Sequence, residues 1–327
     1  MTADISVIIC AYSEARWNDL LAAVTSVQRQ QLRPREIIVV IDHNLRLLKQ
    51  IYSRISGVIL LENRESRGLS GARNTGVAAA QGAILAFLDD DAIAAPDWLE
   101  QMSSGYADPQ VLGVGGAIEP LWLSGRPPWF PDEFDWVVGC TYRGLPQATA
   151  PVRNLIGANM SFRRELFTYV TGFQSGIGRV GKVPLGCEET ELCIRIKQRW
   201  PQHKLLYEPR AKVFHKVPAG RACWRYFFAR CYGEGRSKAL VSHFVGTKDG
   251  LASERAYAFH TLPRGIVAGL IEMIGNGNRS GLARAAAIMA GLTITATGFL
   301  AGLVIQRLAG GRQRTRERSF TWEEPAL

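Results

Sequence analysis

The sequence predicts an α/β fold with an open, doubly wound and mostly parallel sheet, followed by a C-terminal helical segment. Three observations support this prediction. Short continuous apolar runs alternate with helical patterns through the first hundred residues, as is typical of strands covered by helices on both faces. The chain has 327 residues and is 47% hydrophobic, enough for one large core or two domains. A long uncharged apolar stretch then follows at residues 285–305.

The alternation can be followed along the chain. Strands are predicted in ISVIICAY, EIIVVID, GVILLEN and AILAFLDD, separated by helices in WNDLLAAVTSVQRQ, NLRLLKQIYSRI and GLSGARNTGVAAAQ. Further along, PDWLEQM and EETELCIRIKQRW predict helices, GANMSFRREL predicts a strand leading into a helix, and a β-like run ends at His215. Ligands of such sheets bind at the carboxyl ends of the strands. This rule places Ala11, Asp42, Asn63 and residues 89–91 along one rim.

Three consecutive carboxylates, Asp89, Asp90 and Asp91, end the fourth predicted strand. Adjacent like charges repel, so the arrangement lowers stability unless a cation or a turn compensates. One interpretation is a solvated acidic turn before a helix. The other is a cation site, which His215 favours because oxygen ligands with one imidazole suit Mn²⁺ or Mg²⁺ better than zinc.

A second acidic cluster, Glu188, Glu189 and Glu191, lies in the first turns of a predicted helix. Acids at a helix N-terminus complement its dipole, which contributes about 0.3–1 kcal/mol each. One of them is alternatively a general base. The Gly-rich segment before this helix, residues 174–186, is either a mobile lid or a plain surface loop. Its Arg179 and Lys182 are candidates to receive a uronate carboxylate.

Composition narrows the classes of partner. The formal net charge is +10, and part of the excess lies in GGRQRTRERS, directly after the apolar stretch, which favours anionic lipid over nucleic acid. Neither a zinc-finger spacing nor an aromatic-rich RNA motif is present.

The six cysteines form no CxxC pair, which predicts reduced thiols and a cytoplasmic location. The start of the chain predicts no secretory signal, and dinucleotide and P-loop motifs are missing.

Several segments of this sequence, taken in order along the chain, resemble the family 2 glycosyltransferases, which have the GT-A fold and use nucleotide-diphosphate sugars. The pieces are SVIICAYSE, EIIVVIDHN, GLSGARNTGVAAAQGAILAFLDDD, GANMSFRREL and EETELCIR, followed by His215, over roughly residues 4–235. Within the family, the sequence is most similar to the glucosyl-dolichyl-phosphate glucuronosyltransferase-like subgroup.

The resemblance implies a role for each matching residue. Glu189 would be the catalytic base, with Glu188 beside it. Asp91, Asp90 and His215 would bind a divalent metal, Mn²⁺ or Mg²⁺. The residues expected at the donor sugar nucleotide are Ala11, Asp42, Arg73, Asp89, Asp90 and Asn159.

The activity that the resemblance implies is inverting, metal-dependent transfer of a sugar from a nucleotide-diphosphate sugar, with UDP favoured. The acceptor would be a hydroxyl of a lipid-linked molecule or of a cell-envelope glycan. Two alternatives stay open. A sugar-phosphate nucleotidyltransferase would carry a basic Gly-rich loop where this chain has CAYSEARW. A non-catalytic, membrane-attached scaffold is motivated by two departures from the family pattern, the DHN run and the Glu-Glu pair.

The predicted organisation is a GT-A-like domain at residues 1–235, a helical region at 236–310 and a basic tail at 311–327. Residues 285–305 are long enough for about 30 Å of helix, which matches a bilayer core. A buried helix of a soluble domain is the alternative. LPRGIVAGLIEMIG is short and charged, so it would lie at the membrane interface or form a hairpin with the longer helix. The protein is therefore expected at the cytoplasmic face of the cell membrane.

Overall fold

The computed structural model describes residues 3–178, 186–246, 254 and 256–318. Within these residues nine strands form one mixed sheet. The strands are β1 Ile5–Ala11, β2 Glu36–Ile41, β3 Ile59–Glu62, β4 Ile84–Asp89, β5 Ala92–Ala94, β6 Val111–Trp122, β7 Ala150–Val152, β8 Asn159–Arg163 and β9 Lys204–Val217. Their order is β3-β2-β1-β4-β8-β6-β9-β5, and β7 also pairs with β9.

Helices connect and cover these strands. They are α1 Trp17–Gln28, α2 Leu45–Tyr52, α3 Leu69–Ala79, α4 Trp98–Ser104, α5 Leu166–Tyr169, α6 Glu188–Arg199, α7 Trp224–Val245, α8 Leu262–Asn276 and α9 Arg279–Arg318. Short 3₁₀ turns include Glu14–Arg16, Asp132–Val138 and Ala219–Arg221. Each strand and helix predicted along the chain is therefore present, with boundaries shifted by a few residues.

The first four long strands form the parallel half of the sheet. β1 pairs in parallel with both β2 and β4, and β2 pairs in parallel with β3. Side chains alternate across the sheet along β1: Val7 and Ile9 enter one apolar core, and Ile8 enters the core on the other face. Because both faces are covered, these strands have no polar face, and this explains their continuous apolar sequences.

The second half of the sheet is mixed. β8 lies antiparallel between β4 and β6, while β6 and β9 run parallel. The short strand β5 follows the aspartate triplet and pairs antiparallel with β9, in a register that sets Ala92 opposite His215. This pairing brings His215 next to Asp91, although the two residues are far apart in the sequence.

The C-terminal helices pack on the sheet domain through α7 and also directly, because a Cβ on Gly291 of α9 would lie 2.4 Å from the Phe134 ring. Gly235 and Gly298 allow close contact between α7 and α9, because a Cβ at Gly298 would lie 2.2 Å from the Tyr232 carbonyl oxygen. The sequence suggested a domain boundary at residue 235, but α7 continues through this position. The division into a domain at 1–235 and a helical region at 236–310 stays a prediction. The predicted basic tail begins within α9, and its residues 319–327 lie outside the described part.

One helix among the described residues, Arg279–Leu308 within α9, is long and apolar enough to cross a membrane. Only 22% of its most apolar window is buried by the rest of the protein. α8 packs against it, since a Cβ on Gly269 would meet the Gly281 carbonyl oxygen. Large apolar side chains are exposed on both helices: Ile271, Ile274, Leu300 and Leu308. The two helices therefore present an apolar outer surface.

Candidate active site

The buried Asp91 carboxylate is the centre of a polar network at the end of β4. Its Oδ1 accepts a hydrogen bond from His215 Nε2 at 2.9 Å, and its Oδ2 accepts one from Arg221 Nη2 at 3.1 Å. Arg16 Nη1 lies 3.2 Å from the same Oδ2. Burial alone would raise the pKa of Asp91, but the charge of His215 and the two arginines hold this pKa below its usual range.

The pKa of His215 is shifted in the opposite direction. Burial opposes the protonated form, but the Asp91 carboxylate stabilises it and raises the pKa well above the ordinary value. The other ring nitrogen, Nδ1, lies 3.8 Å from Cys140 Sγ. Asp91 therefore favours the protonated form of His215, and the two side chains are joined by a buried hydrogen bond.

Asp89, Asp91 and His215 form a group that suits a divalent metal. One ligand atom from each lies within 4.8 Å of the others. Two carboxylates and one imidazole are the donor types that Mn²⁺ accepts. The group in the structure contains Asp89, whereas the ligand set predicted from the sequence contained Asp90 instead. The physical reason is that Asp89 ends β4 while Asp91 follows in the turn before β5, and the pairing of β5 with β9 sets Ala92 opposite His215 and so brings Asp91 next to it.

Asp90 is not part of this group. Its Oδ1 accepts a hydrogen bond from Arg16 Nη1 at 2.7 Å, and its Oδ2 is buried without a hydrogen-bond partner among the described residues. Burial and the neighbouring Asp91 charge raise the pKa of Asp90 to about 7. In this structure the Asp90 carboxylate binds Arg16, and its metal and ribose contacts stay predictions.

Arg16 and Arg221 are site residues that the sequence analysis missed. Both bind the aspartate triplet, and they come from the two short 3₁₀ turns that follow β1 and β9. They offset part of the repulsion among the three carboxylates without any metal ion. The rule that ligands bind at the carboxyl ends of the strands could have identified Arg16, because Arg16 follows the first strand at the same rim as Asp89.

Arg73 is buried between the two acidic clusters. Its Nη1 donates to Glu188 Oε1 at 2.7 Å, and its Nη2 donates to the Gly157 carbonyl at 3.0 Å and lies 3.4 Å from Asp89 Oδ1. Its guanidinium also lies 5.3 Å from the centre of the Phe173 ring. Arg73 lines the cavity, but its hydrogen bonds hold protein groups, so it acts as a connector between Glu188 and Asp89.

Glu188 and Glu189 differ although they are adjacent at the start of α6. Glu188 is ion-paired with Arg73, whereas Glu189 makes no side-chain hydrogen bond or ion pair within the described residues, and both line the cavity. Burial, together with the Glu188 charge, raises the pKa of Glu189 to about 8. A carboxylate with a pKa near the working pH is suited to general base catalysis.

Asp42 and Ala11 lie at the rim but do not line this cavity. Asp42 Oδ1 accepts from Asn63 Nδ2 at 2.7 Å, and its Oδ2 accepts from the Gly68 backbone at 3.0 Å. These bonds order the loop before α3. Ala11 is buried, and its carbonyl accepts a hydrogen bond from the Asp42 amide at 2.8 Å.

Asn159 is fully buried and does not line this cavity. Its Nδ2 donates to the carbonyls of Ala117 at 2.9 Å and Ala211 at 2.8 Å, and its Oδ1 accepts from Trp98 Nε1 at 2.8 Å. The side chain therefore bridges β8 to its neighbours and has no hydrogen left to donate. This position does not support the donor-binding role that the sequence predicted, because the protein itself uses the amide.

A cavity of about 540 Å³ connects these groups. Asp89, Asp91, His215 and the two glutamates line this cavity. Apolar side chains of the C-terminal helices line it as well: Leu262, Leu292, Ala296, Phe299 and Leu300. The volume is typical of small-molecule sites. Arg179 and Lys182, the suggested uronate contacts, lie outside the described residues.

Comparison with known proteins decides the family. Residues 6–170 match the model for glycosyl transferase family 2. The chain is also 34% identical, over 241 residues, to the glucosyl-dolichyl phosphate glucuronosyltransferase of Haloferax volcanii, which covers 72% of this chain and 77% of that protein. The chain belongs to the family 2 glycosyltransferases.

The fold of this glycosyltransferase resembles those of solved relatives. It matches a Pyrobaculum calidifontis mannosyltransferase, solved with GDP-Man and Mn²⁺, with a TM-score of 0.55 and 18% identity over 90% of this chain and 87% of the other. It matches GalNAc-T7, solved with UDP, GalNAc and Mn²⁺, with a TM-score of 0.50 and 17% identity over 77% of this chain and 53% of the other. These likenesses confirm the predicted GT-A-type α/β fold of the glycosyltransferase.

Proposed function

We propose that this glycosyltransferase moves a sugar from a nucleotide-diphosphate sugar to a hydroxyl of a lipid-linked acceptor, with inversion and with a divalent metal. The observation that carries the proposal is one cavity that joins a carboxylate suited as a base, a metal-ligand group and an apolar wall. The Haloferax volcanii relative, whose name specifies a dolichyl phosphate substrate, supports the choice of a lipid-linked acceptor.

Glu189 is the proposed base. Its unpaired carboxylate takes the proton from the acceptor hydroxyl as that oxygen forms a bond to C1 of the donor sugar. The bond from C1 to the diphosphate oxygen breaks, and its electron pair leaves with the nucleoside diphosphate. A single displacement of this kind inverts the configuration at C1. Glu188 keeps its ion pair with Arg73 and positions the start of α6.

Asp89, Asp91 and His215 are the proposed metal ligands, and Mn²⁺ in both solved relatives supports this assignment. A divalent ion there would neutralise the negative charge that develops on the leaving diphosphate. Arg16 and Arg221 add fixed positive charge beside Asp91. His215 must release its Nε2 proton before that nitrogen can bind a metal.

The donor is proposed to be a UDP-sugar. Support comes from the relative with a glucuronosyltransferase name and from the solved relative that contains UDP, whereas the other solved relative contains GDP-Man. Asp42 is proposed to contact the base from the rim, where it already orders the loop before α3. UDP-glucuronate is the first donor to test.

Membrane attachment is proposed to occur through α8 and α9 at the cytoplasmic face. The apolar side chains exposed on both helices support this, because such a continuous apolar surface is unfavourable in water. The exposed Arg264 and Arg279 lie on the same two helices and suit anionic lipid headgroups. Attachment there would place the apolar side chains of α9 that line the cavity, such as Leu300, next to the lipid.

The experiment is a donor-turnover assay with the full-length protein in detergent. Release of labelled UDP from UDP-glucuronate, with a glucosyl phosphate lipid as acceptor, is measured with and without Mn²⁺. We expect Mn²⁺-dependent turnover in the wild type and in the surface control Glu100→Gln, but not in Glu189→Gln. Full turnover in Glu189→Gln, or none in the wild type across a panel of nucleotide sugars, would overturn the proposal.

A further inference from the structure

One face of α9 packs on the rest of the protein along most of its apolar stretch. A Cβ on Gly291 would lie 2.4 Å from the Phe134 ring of the sheet domain. Further along α9, a Cβ on Gly298 would lie 2.2 Å from the α7 backbone, and a Cβ on Gly302 would lie 2.6 Å from Ala239 Cβ. Because these three glycines have no Cβ, α9 approaches the sheet domain and α7 closely.

The opposite face of α9 is exposed. The buried positions of this helix recur at intervals of three, four or seven residues, which is the spacing of one helical face. They are Gly281, Ala285, Ile288, Gly291, Gly298 and Gly302. Large apolar side chains are exposed on the other side of the helix, which we call the outer face of α9: Leu282, Met289, Leu300 and Val304. Within the described residues, α9 is therefore covered on one side only.

A position across the membrane does not fit this packing. The hydrocarbon core of a bilayer is about 30 Å thick, so a helix that crosses it through residues 285–305 has its midpoint near Thr295. α7 contacts α9 at this depth, because a Cβ on Gly235 would lie 2.0 Å from the Thr295 carbonyl oxygen. The adjacent Glu234 forms an ion pair with Lys238, with 3.2 Å between Oε1 and Nζ. A spanning α9 would carry these charges into the hydrocarbon, where they are unfavourable.

A hairpin in which α8 and α9 both cross the membrane does not fit either. α8 packs on α9, since a Cβ on Gly269 would lie 2.5 Å from the Gly281 carbonyl oxygen. It also contacts the sheet domain, since a Cβ on Gly265 would lie 2.6 Å from Oε1 of the buried Glu133. The Glu133 carboxylate would have to enter the hydrocarbon with α8. Both helices are thus held on the surface of the sheet domain.

The outer face of α9 suits the acyl region of a single leaflet. Residues 285–306 contain no charged side chain. The Thr293 and Thr297 hydroxyls each donate to the backbone carbonyl four residues earlier, at 2.9 Å, so neither leaves an unpaired donor in lipid. Arg279 and Arg307 are exposed near the two ends of this stretch, where both can reach headgroups of the same leaflet.

We propose that α8 and α9 lie in the plane of the membrane, within one leaflet, and that α9 does not cross the bilayer. The outer face enters the boundary between headgroups and acyl chains to a depth of about 5–10 Å, while the covered face stays on the protein. Leu300 belongs to the outer face and also lines the cavity, so it lies where the cavity meets the leaflet. A lipid-linked acceptor therefore reaches the cavity from the leaflet that holds its chain. This inference rests on the proposed membrane attachment and adds its topology.

The test measures the depth of nitroxide labels on the outer face of α9, using the full-length protein on sealed vesicles of phosphatidylcholine and phosphatidylglycerol. Leu282→Cys, Thr293→Cys and Val304→Cys are made one at a time with Cys223→Ser, because Cys223 is exposed. Successive labels are about 16 Å apart along the helix and share one face. Electron paramagnetic resonance compares their collisions with oxygen and with a water-soluble nickel chelate, which gives the depth of each label.

We expect the three labels to lie at the same depth within about 5 Å, and none deeper than about 10 Å below the phosphates. Tyr52→Cys on α2, at an exposed position of the sheet domain, is the matched control and should report water alone. Cys223→Ser without an added cysteine gives the background signal of the other native thiols. Met289→Cys, also on the outer face, replaces any variant that does not fold.

Two results would overturn the inference. A spanning α9 places the Thr293→Cys label about 15 Å below the phosphates and the other two labels near opposite surfaces, so depths that differ by more than about 5 Å contradict the in-plane position. Three labels in water would contradict the proposed membrane attachment as well. Release of UDP from UDP-glucuronate, measured in the same samples, separates the proposals, since equal depths without turnover of any nucleotide sugar would contradict the proposed sugar transfer alone.

Discussion

Arg73 and Glu188 form a buried ion pair, with 2.7 Å between Nη1 and Oε1. This pair separates the functions of two adjacent glutamates. Glu188 is neutralised by a fixed partner, whereas Glu189 faces the cavity with its pKa raised to about 8. A base and a structural anion can thus occupy neighbouring positions at the start of one helix.

The first prediction concerns the pH dependence of transfer. Because Glu189 must be deprotonated to act as a base and its pKa is about 8, kcat/KM should rise with pH and level off above that value. Glu188→Gln removes a negative charge that raises this pKa, so the plateau should begin at lower pH. Initial rates between about pH 6 and pH 9 check both effects. A flat wild-type profile would contradict the assignment of Glu189.

The second prediction separates the three aspartates. Asp89→Asn and Asp91→Asn should each weaken Mn²⁺ binding at least about tenfold, because each removes a charged ligand. Asp90→Asn should bind Mn²⁺ as the wild type does, since Asp90 is outside the metal-ligand group and is paired with Arg16. Calorimetric titration with Mn²⁺ in the presence of UDP measures this. Loss of binding in Asp90→Asn with retention in Asp89→Asn would restore the ligand set expected from the sequence.

The third prediction concerns Asn159, whose amide bridges three protein groups. Asn159→Ala leaves Trp98 Nε1 and two carbonyls without a partner, so it should lower the free energy of unfolding by about 2–4 kcal/mol. Affinity for UDP with Mn²⁺ should stay within about threefold, because the side chain does not line the cavity. Chemical denaturation and calorimetry measure the two quantities. A stable variant with much weaker donor binding would return Asn159 to the donor site.

The fourth prediction concerns the membrane. The double variant Ile271→Ser/Ile274→Ser removes apolar area from the exposed side of α8, where these residues are 63% and 83% exposed. The fraction that floats with anionic vesicles should fall at least about tenfold. Tyr52→Ser, at an 85% exposed position on α2, is the control and should float as the wild type does. Unchanged flotation of the double variant would exclude this face of α8 as the membrane contact.

Local sequence pattern predicted β1 to β4, β8, the end of β9 and the helices between the first strands, but not β5, β6 or β7. The apolar runs around Ile8 and Phe87 are continuous because both faces of their strands are buried, and that signal needs no knowledge of distant residues. The rule for the carboxyl ends of strands then placed the whole triplet, Asp89 to Asp91, at the rim.

Contacts between distant residues could not be predicted in this way. Arg16 is 74 positions from Asp90, and Arg221 is 130 positions from Asp91. The rule for strand ends could put Arg16 at the rim, but no local pattern indicates which carboxylates the two arginines neutralise. The same holds for Arg73 and Glu188, which are 115 positions apart. Asn159 resembled a site residue because a buried amide and a ligand-binding amide look alike in a sequence. Packing of β8 between β4 and β6 decides between them.

The anomeric configuration of the product tests the central claim most directly. UDP-glucuronate, an α-linked donor, is incubated with Mn²⁺, a glucosyl phosphate lipid and the wild-type protein, and the new linkage is identified by NMR. A single displacement with Glu189 as the base predicts a β-linked product, and Glu189→Gln should form none of it. An α-linked product, or β-linked product formed equally fast by Glu189→Gln, would contradict the account.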